Sequence, residues 1–178
     1  MIDGRIGSIT WSVLFATDKT PNSVLAETPF LKKVLKVANT QIGVVENPPH
    51  TNRGKEVDLY LKAVGLNPSA GNFPWCAAFV YWCFDKASKE LGITNPLIKT
   101  AGVIDHWNRT KAVKIPVDIV VANPNKIEPG AIFIMDFGKG LGHTGIVESV
   151  QNGYITTIEG NTNNDNSREG YGVFKLNN

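Results

Sequence analysis

Pro129-Gly130-Ala131-Ile132-Phe133-Ile134-Met135 is the stretch at which the chain changes period. Before it, apolar residues recur at helical spacing; after it, they fall in short runs bounded by turn formers. Ala131 to Met135 reads as one strand, Thr144 to Val150 as a second, Tyr154 to Ile158 as a third and Tyr171 to Leu176 as a fourth. Upstream, Thr28-Pro29 offers an N-cap and a first-turn proline for a helix reaching about Ile42, with Leu31, Val34, Leu35, Ala38 and Ile42 as its apolar stripe. A second helix runs from about Lys55 to Val64, and a third from near Pro74 to Gly92. The third is apolar without a break from Trp75 to Phe84, the pattern of a helix buried on every side. Ala101 to Asn108 reads as a short helix and Val117 to Ala122 as a strand. Helices first and an antiparallel meander afterwards make an α+β layout.

Composition narrows the partners. A net charge of +2, with no run of like charge, speaks against nucleic acid. Trp75 to Phe84, ten residues, is the longest apolar run and falls short of the ~18 that a membrane span requires, so no membrane partner is expected. No basic segment leading into an apolar stretch follows Met1-Ile2-Asp3-Gly4-Arg5, so the expectation is a protein made in the cytoplasm without a signal peptide. Two cysteines are too few for a disulfide framework or a four-ligand zinc site. At a rise of ~1.5 Å per residue along one helix, Cys76 and Cys83 stand ~10 Å apart, beyond disulfide reach. Both are expected to be free thiols, and neither a metal nor another cofactor is expected.

The same two cysteines raise the question of chemistry. Cys83, inside the apolar run, reads as a small buried hydrophobe. Cys76 falls in the first turn of its helix, where unpaired N–H groups and the positive end of the helix dipole favour a thiolate and offer donors to a developing oxyanion. A catalytic cysteine needs a base. His50, in a Pro-rich loop, and His106, beside Trp107, read as surface or packing residues. His143 starts a strand and follows Gly138, Gly140 and Gly142, glycines that let a substrate or another backbone come close. Its relation to Glu159 and Asn161 depends on the hairpin around Gln151-Asn152-Gly153. A two-residue Asn-Gly turn, pairing Gln151 with Tyr154, puts His143 and Glu159 on opposite faces. A three-residue loop, pairing Val150 with Tyr154, puts His143 opposite Asn161 and diagonal to Glu159, all on one face. Only the second gives His143 polar orienting partners, and the sequence permits both. Glu159-Gly160-Asn161 alone reads equally as a strand running into a turn.

Phe73-Pro74-Trp75-Cys76-Ala77-Ala78-Phe79-Val80, Gly142-His143-Thr144-Gly145-Ile146-Val147 and Ile158-Glu159-Gly160-Asn161-Thr162 together resemble the successive motifs of the CHAP family, cysteine- and histidine-dependent amidohydrolases/peptidases. Ile42-Gly43-Val44-Val45-Glu46 and Asn52-Arg53-Gly54 resemble the start of bacterial members. The resemblance implies a reduced papain-like fold, with N-terminal helices packed on an antiparallel sheet. It also implies Cys76 as nucleophile, His143 as base, Glu159 as its orienter and Asn161 as a further polar helper. The implied substrate is the peptidoglycan stem peptide, cut either as an N-acetylmuramoyl-L-alanine amidase or as an endopeptidase, and delivery to the wall falls to a holin or a secretion machine, the latter with an immunity protein as partner. Residues 30–178 would form the catalytic domain. Residues 1–29 would be an extension and linker, in which Asp3 to Trp11 resembles the closing motif of a peptidoglycan-binding domain. Two rivals stand beside this reading: an intracellular thiol hydrolase of a small amide, and a non-catalytic module that binds wall peptide.

Overall fold

The computed structural model describes residues 28–151, 154–164 and 170–177. The expectations for residues 1–27 lie outside these. Helix α1 (Pro29–Asn39) starts where Thr28 Oγ1 accepts from Leu31 N at 3.1 Å and buries Val34, Val37 and Ala38. It ends three residues before Ile42, because the chain turns through Thr40 and Gln41 to reach Gly43 at φ +90°. Helix α2 (Lys55–Ala63) buries Val57, Tyr60 and Leu61. Helix α3 (Cys76–Leu91) is the spine of the domain, and Gly92 closes it in the left-handed conformation, φ +67°.

Two short helices, α4 (Val103–Arg109) and α5 (Val117–Ala122), precede the sheet. The second corrects the strand expected there. A six-residue apolar run carries no period that separates strand from helix. Pro116 and Pro124 flank it, and among its residues Val120 packs against the cluster of Ile127, Val147 and Val150. With one anchoring contact, a helical turn places that side chain on the sheet without needing a ladder partner.

The sheet is antiparallel, in the order β1 (Ile132–Gly138), β2 (Leu141–Gln151), β3 (Tyr154–Thr162), β4 (Gly172–Asn177). Helix α3 lies between this sheet and α1 and α2. Ala78, Phe79, Val80, Cys83, Phe84 and Ala87 from α3 meet Ile146, Ile158 and Val173 from the sheet in one core, which makes the protein α+β as expected. Tyr60 packs edge-on against Phe79 and Trp82, ring centres 5.4 and 5.1 Å away, and joins α2 to the same core.

The β2–β3 register holds both alternatives left open by the sequence. Next to the turn, Gln151 pairs with Tyr154 and Val150 with Ile155, as a two-residue connection requires. Then Val147 pairs with Thr157 and Ser149 with Thr156, so Glu148 is an extra residue, a β-bulge. Beyond it Ile146 faces Ile158, the register that the three-residue loop would have produced. The pairing from Val150 to Gln151 follows the first alternative, and the pairing at the His143 end of the strand follows the second. Asn39 Nδ2 and Lys175 Nζ hold the Glu148 carboxylate at 3.0 and 2.7 Å, so α1 and β4 clamp the bulge from either side.

Candidate active site

Cys76 is the first residue of α3, two places earlier in the helix than Pro74 as first helical residue would put it, and Trp75 is the N-cap. No side chain caps this end, so the N–H groups of the first turn are left to whatever occupies the space in front of them. Phe79 N donates back to Trp75 O at 2.9 Å, so regular helix begins at once behind the cysteine. Cys76 is 5% exposed, packed with Ala77 and Val103 and against Ile104 and Ile134.

Strand β2 brings His143 to the sulfur. Cys76 acts on the imidazole from one side, and Nε2 of the ring lies 2.7 Å from Glu159 Oε2. With Nε2 so used, Nδ1 is the ring nitrogen that faces the thiol. Burial alone pushes His143 down, but the hydrogen bonds to Cys76 and Glu159 outweigh it and raise the imidazole to about 9. Glu159 is buried at 3% exposure, and its other oxygen accepts from Thr157 Oγ1 at 2.5 Å. The two glycines around it are steric requirements. A Cβ on Gly145 would stand 2.7 Å from Glu159 Cγ, and one on Gly160 would stand 2.7 Å from Phe79. Bare backbone at these positions lets β2 pass over the glutamate and lets β3 lie directly on α3.

Asn161 shares the cleft without touching the imidazole through a hydrogen bond. It stands at φ +56°, in a second bulge where Glu159 pairs with Phe174 and Thr162 with Gly172. The bulge turns its carboxamide toward the start of α3, where Oδ1 accepts from Trp75 N at 2.9 Å. Its Nδ2 donates to the Gly170 carbonyl at 3.0 Å and to Asn52 Oδ1 at 3.3 Å. The strict strand geometry that placed it opposite His143 is interrupted one residue too early.

Cys76 and His143 open onto a cleft of about 470 Å³, whose further lining includes His50, Asn52, Asn72, Phe137 and Glu46. None of these was singled out as a site residue from the sequence. In the sequence the role of the loop from Glu46 to Gly54 is open: it could border a cleft, although polar loops are usually solvated surface. Backbone pairing explains its place: Glu46 N donates to Tyr171 O and Val173 N to Val44 O, both at 2.8 Å, which seats the loop against the start of β4. His50 lies edge-on to Tyr171, ring centres 6.1 Å apart. Phe137 stands 65% exposed on β1. Cys83, the other thiol, is free and fully buried, and burial pushes it well above the ordinary thiol range. Among the described residues no group of three or more His, Cys, Asp or Glu side chains gathers as a metal site, and no helix is long and apolar enough to cross a membrane.

Residues 68–161 match the CHAP domain family model. No curated protein and no solved structure matches the chain. The matched segment runs from just before the start of α3 through Cys76, His143 and Glu159 to Asn161, and takes in just over half of the 178 residues. The chain therefore belongs to the CHAP domain family, whose members are amidase/peptidase hydrolases directed at peptidoglycan.

Proposed function

We propose that the protein cleaves an amide bond of the peptidoglycan stem peptide, with Cys76 as nucleophile, His143 as acid and base, and Glu159 holding the imidazole. The observation that carries this reading is that Cys76, at the start of a buried helix, and His143, hydrogen-bonded to Glu159, line one cleft and interact. A histidine raised to about 9 holds its proton at neutral pH and has one to give to a departing amine.

The thiolate attacks the carbonyl carbon; a C–S bond forms and the carbonyl electrons move onto oxygen, where N–H groups of the first turn of α3 receive the charge. As the C–N bond breaks, His143 gives its proton to the departing amine. Water then attacks the thioester carbon while His143 takes one of its protons. The C–S bond breaks, and the acid product leaves with Cys76 restored. Either the amide between the sugar lactyl group and the first stem residue or a peptide bond within the stem or crossbridge fits this chemistry. We place its action at the cell wall, reached by holin- or secretion-dependent release.

The test is purified wild type and Cys76→Ala against isolated sacculi, with mass spectrometry of the soluble products. Sugar-free stem peptides identify the amidase bond, and muropeptides with shortened stems identify a peptide bond. Sacculi of several wall types yielding no Cys76-dependent product would overturn the reading in favour of a small-amide hydrolase or a binding module.

A further inference from the structure

The cleft wall formed by the Glu46–Gly54 loop is wired so that each carboxamide can face only one way. Glu46, 4% exposed, accepts at Oε1 from the Trp75 indole Nε1 at 2.9 Å and at Oε2 from Asn52 N at 3.0 Å. Trp75 N donates to Asn161 Oδ1 at 2.9 Å, and Asn161 Nδ2 donates to Asn52 Oδ1 at 3.3 Å. Glu46, Trp75, Asn161 and Asn52 thus close a ring. Its direction is forced, because backbone N–H groups only donate and backbone carbonyls only accept. Asn161 must meet Trp75 with its oxygen. The Gly170 carbonyl, which only accepts, independently demands the Asn161 nitrogen on the other side.

That leaves Asn52 one option. Its oxygen is turned to Asn161, so its Nδ2 points out of the ring and donates to Asn72 Oδ1 at 2.5 Å. With its oxygen taken, exposed Asn72 presents an NH2 group that has no partner among the described residues, and it lines the same cleft as Cys76. Asn72 stands just ahead of Pro74 and the N-cap Trp75, on the segment that delivers the nucleophile.

We propose that Asn72 is a catalytic residue whose Nδ2 donates to the oxygen of the carbonyl under attack, beside the N–H groups at the start of α3, and that Glu46, Asn52 and Asn161 are positioning residues that aim it. The inference rests on Cys76 attacking an amide carbonyl. A donor fixed before substrate arrives stabilises the oxyanion without reorganising, which is where such groups lower the barrier most. Glu46 keeps the ring closed: Trp75 Nε1 and Asn52 N both donate to its carboxylate, and a carboxamide there would put an NH2 against one of them.

Asn72→Asp keeps the shape and the acceptor for Asn52 while removing the donor; Asn72→Ala removes both. Three readouts separate the roles. With a soluble stem-peptide substrate, kcat is expected to fall roughly 10²-fold in both variants with KM little changed. With N-acetylalaninal, the Cys76 thiol adds across the aldehyde C=O, forming an S–C bond while the oxygen takes the negative charge or the thiol proton; this capture is expected to weaken at least about tenfold. Alkylation by iodoacetamide, which needs the thiolate but no oxyanion donor, should stay within about twofold of wild type. Glu46→Gln is expected to lower kcat in the same way, and the double variant Glu46→Gln/Asn72→Asp should be no slower than Asn72→Asp alone. A kcat within about twofold of wild type in the Asn72 variants overturns the proposal, and so does a rise in KM at constant kcat. Should wild type leave peptidoglycan uncut yet capture the aldehyde in an Asn72-dependent way, the proposed substrate falls and the role of Asn72 stands. Aldehyde capture indifferent to Asn72 overturns the role itself.

Discussion

Cys76 and Cys83 stand about two turns apart on α3, made of the same atoms and carried by the same backbone. Everything that distinguishes them comes from elsewhere. Cys76 sits where the helix begins, against His143 from β2, with Glu159 from β3 behind the imidazole. Cys83 sits in mid-helix, wholly enclosed in the core shared with Tyr60 and Phe79, where burial alone acts on it and keeps the thiol protonated. One position is bounded by a cleft and hydrogen-bonding groups, the other by hydrocarbon. A thiol's chemistry is set by what faces it rather than by the helix that carries it.

The sharpest way to break this contrast is to remove each sulfur in turn. Cys76→Ala is expected to reduce release of soluble fragments from sacculi to background, while Cys83→Ala retains turnover close to wild type. If the two variants lose activity equally, the distinction drawn between the thiols is wrong. Next in size is Glu159→Gln, which keeps the shape but removes the charge facing Nε2. Turnover should fall by roughly 10²-fold or more, as expected when a histidine loses its carboxylate partner. Iodoacetamide alkylation of Cys76 at neutral pH should slow alongside it, whereas Cys83 stays unreactive in both proteins.

A pH series sharpens the same comparison. The folded His143 is raised to about 9, above the ordinary value of 6.5, so the folded state holds the proton more tightly than the unfolded chain. Its contribution to stability is therefore complete below about 6.5 and is lost as pH rises through about 9. Thermal melts should show Tm falling across that window in wild type, and the His143-dependent part of the fall should vanish in His143→Gln. Turnover should decline on the alkaline side near pH 9, where the imidazolium that protonates the leaving amine disappears. A Tm that falls equally in both proteins would refute the linkage. The smallest effect belongs to the core thiol: Cys83→Ser puts an unpartnered hydroxyl among apolar neighbours and should cost ~1–3 kcal/mol in denaturant unfolding. Cys83→Ala should cost less than about 2 kcal/mol, since it removes one atom and adds no polar group.

Much of the architecture is legible in local pattern. The spacing of Val34 and Ala38 puts them inside, and they are inside, whereas Ile42 of the same stripe lies past the helix end and is 39% exposed. The unbroken run from Trp75 to Phe84 marks the central helix because only an element covered on all sides tolerates it. Val117 to Ala122 misleads for a related reason: a run so short is apolar under either period, and flanking prolines with a single anchor at Val120 decided it. At the site, Cys76, His143, Glu159 and Asn161 are readable as residues, and Cys76 and His143 line one cleft. What Asn161 holds was not readable, because a left-handed residue inside a strand turns its side chain away from the period-two face. Glu46, Asn52 and Asn72 were invisible as a group: they come from separate loops, and polar loop residues carry no periodic signal.

The sequence by itself determined the order of helices and strands, the burial of α3 and the identity of the thiol at its start, since each is a matter of spacing along one chain. The tertiary structure alone decided whether that thiol came beside His143 and Glu159. The Asn152-Gly153 turn favours a register that would have put His143 and Glu159 on opposite faces. The bulge at Glu148, held by Asn39 from α1 and Lys175 from β4, reverses it within three residues of strand. A one-residue shift exchanges the two faces of a strand, and contacts from remote parts of the chain select which face is used.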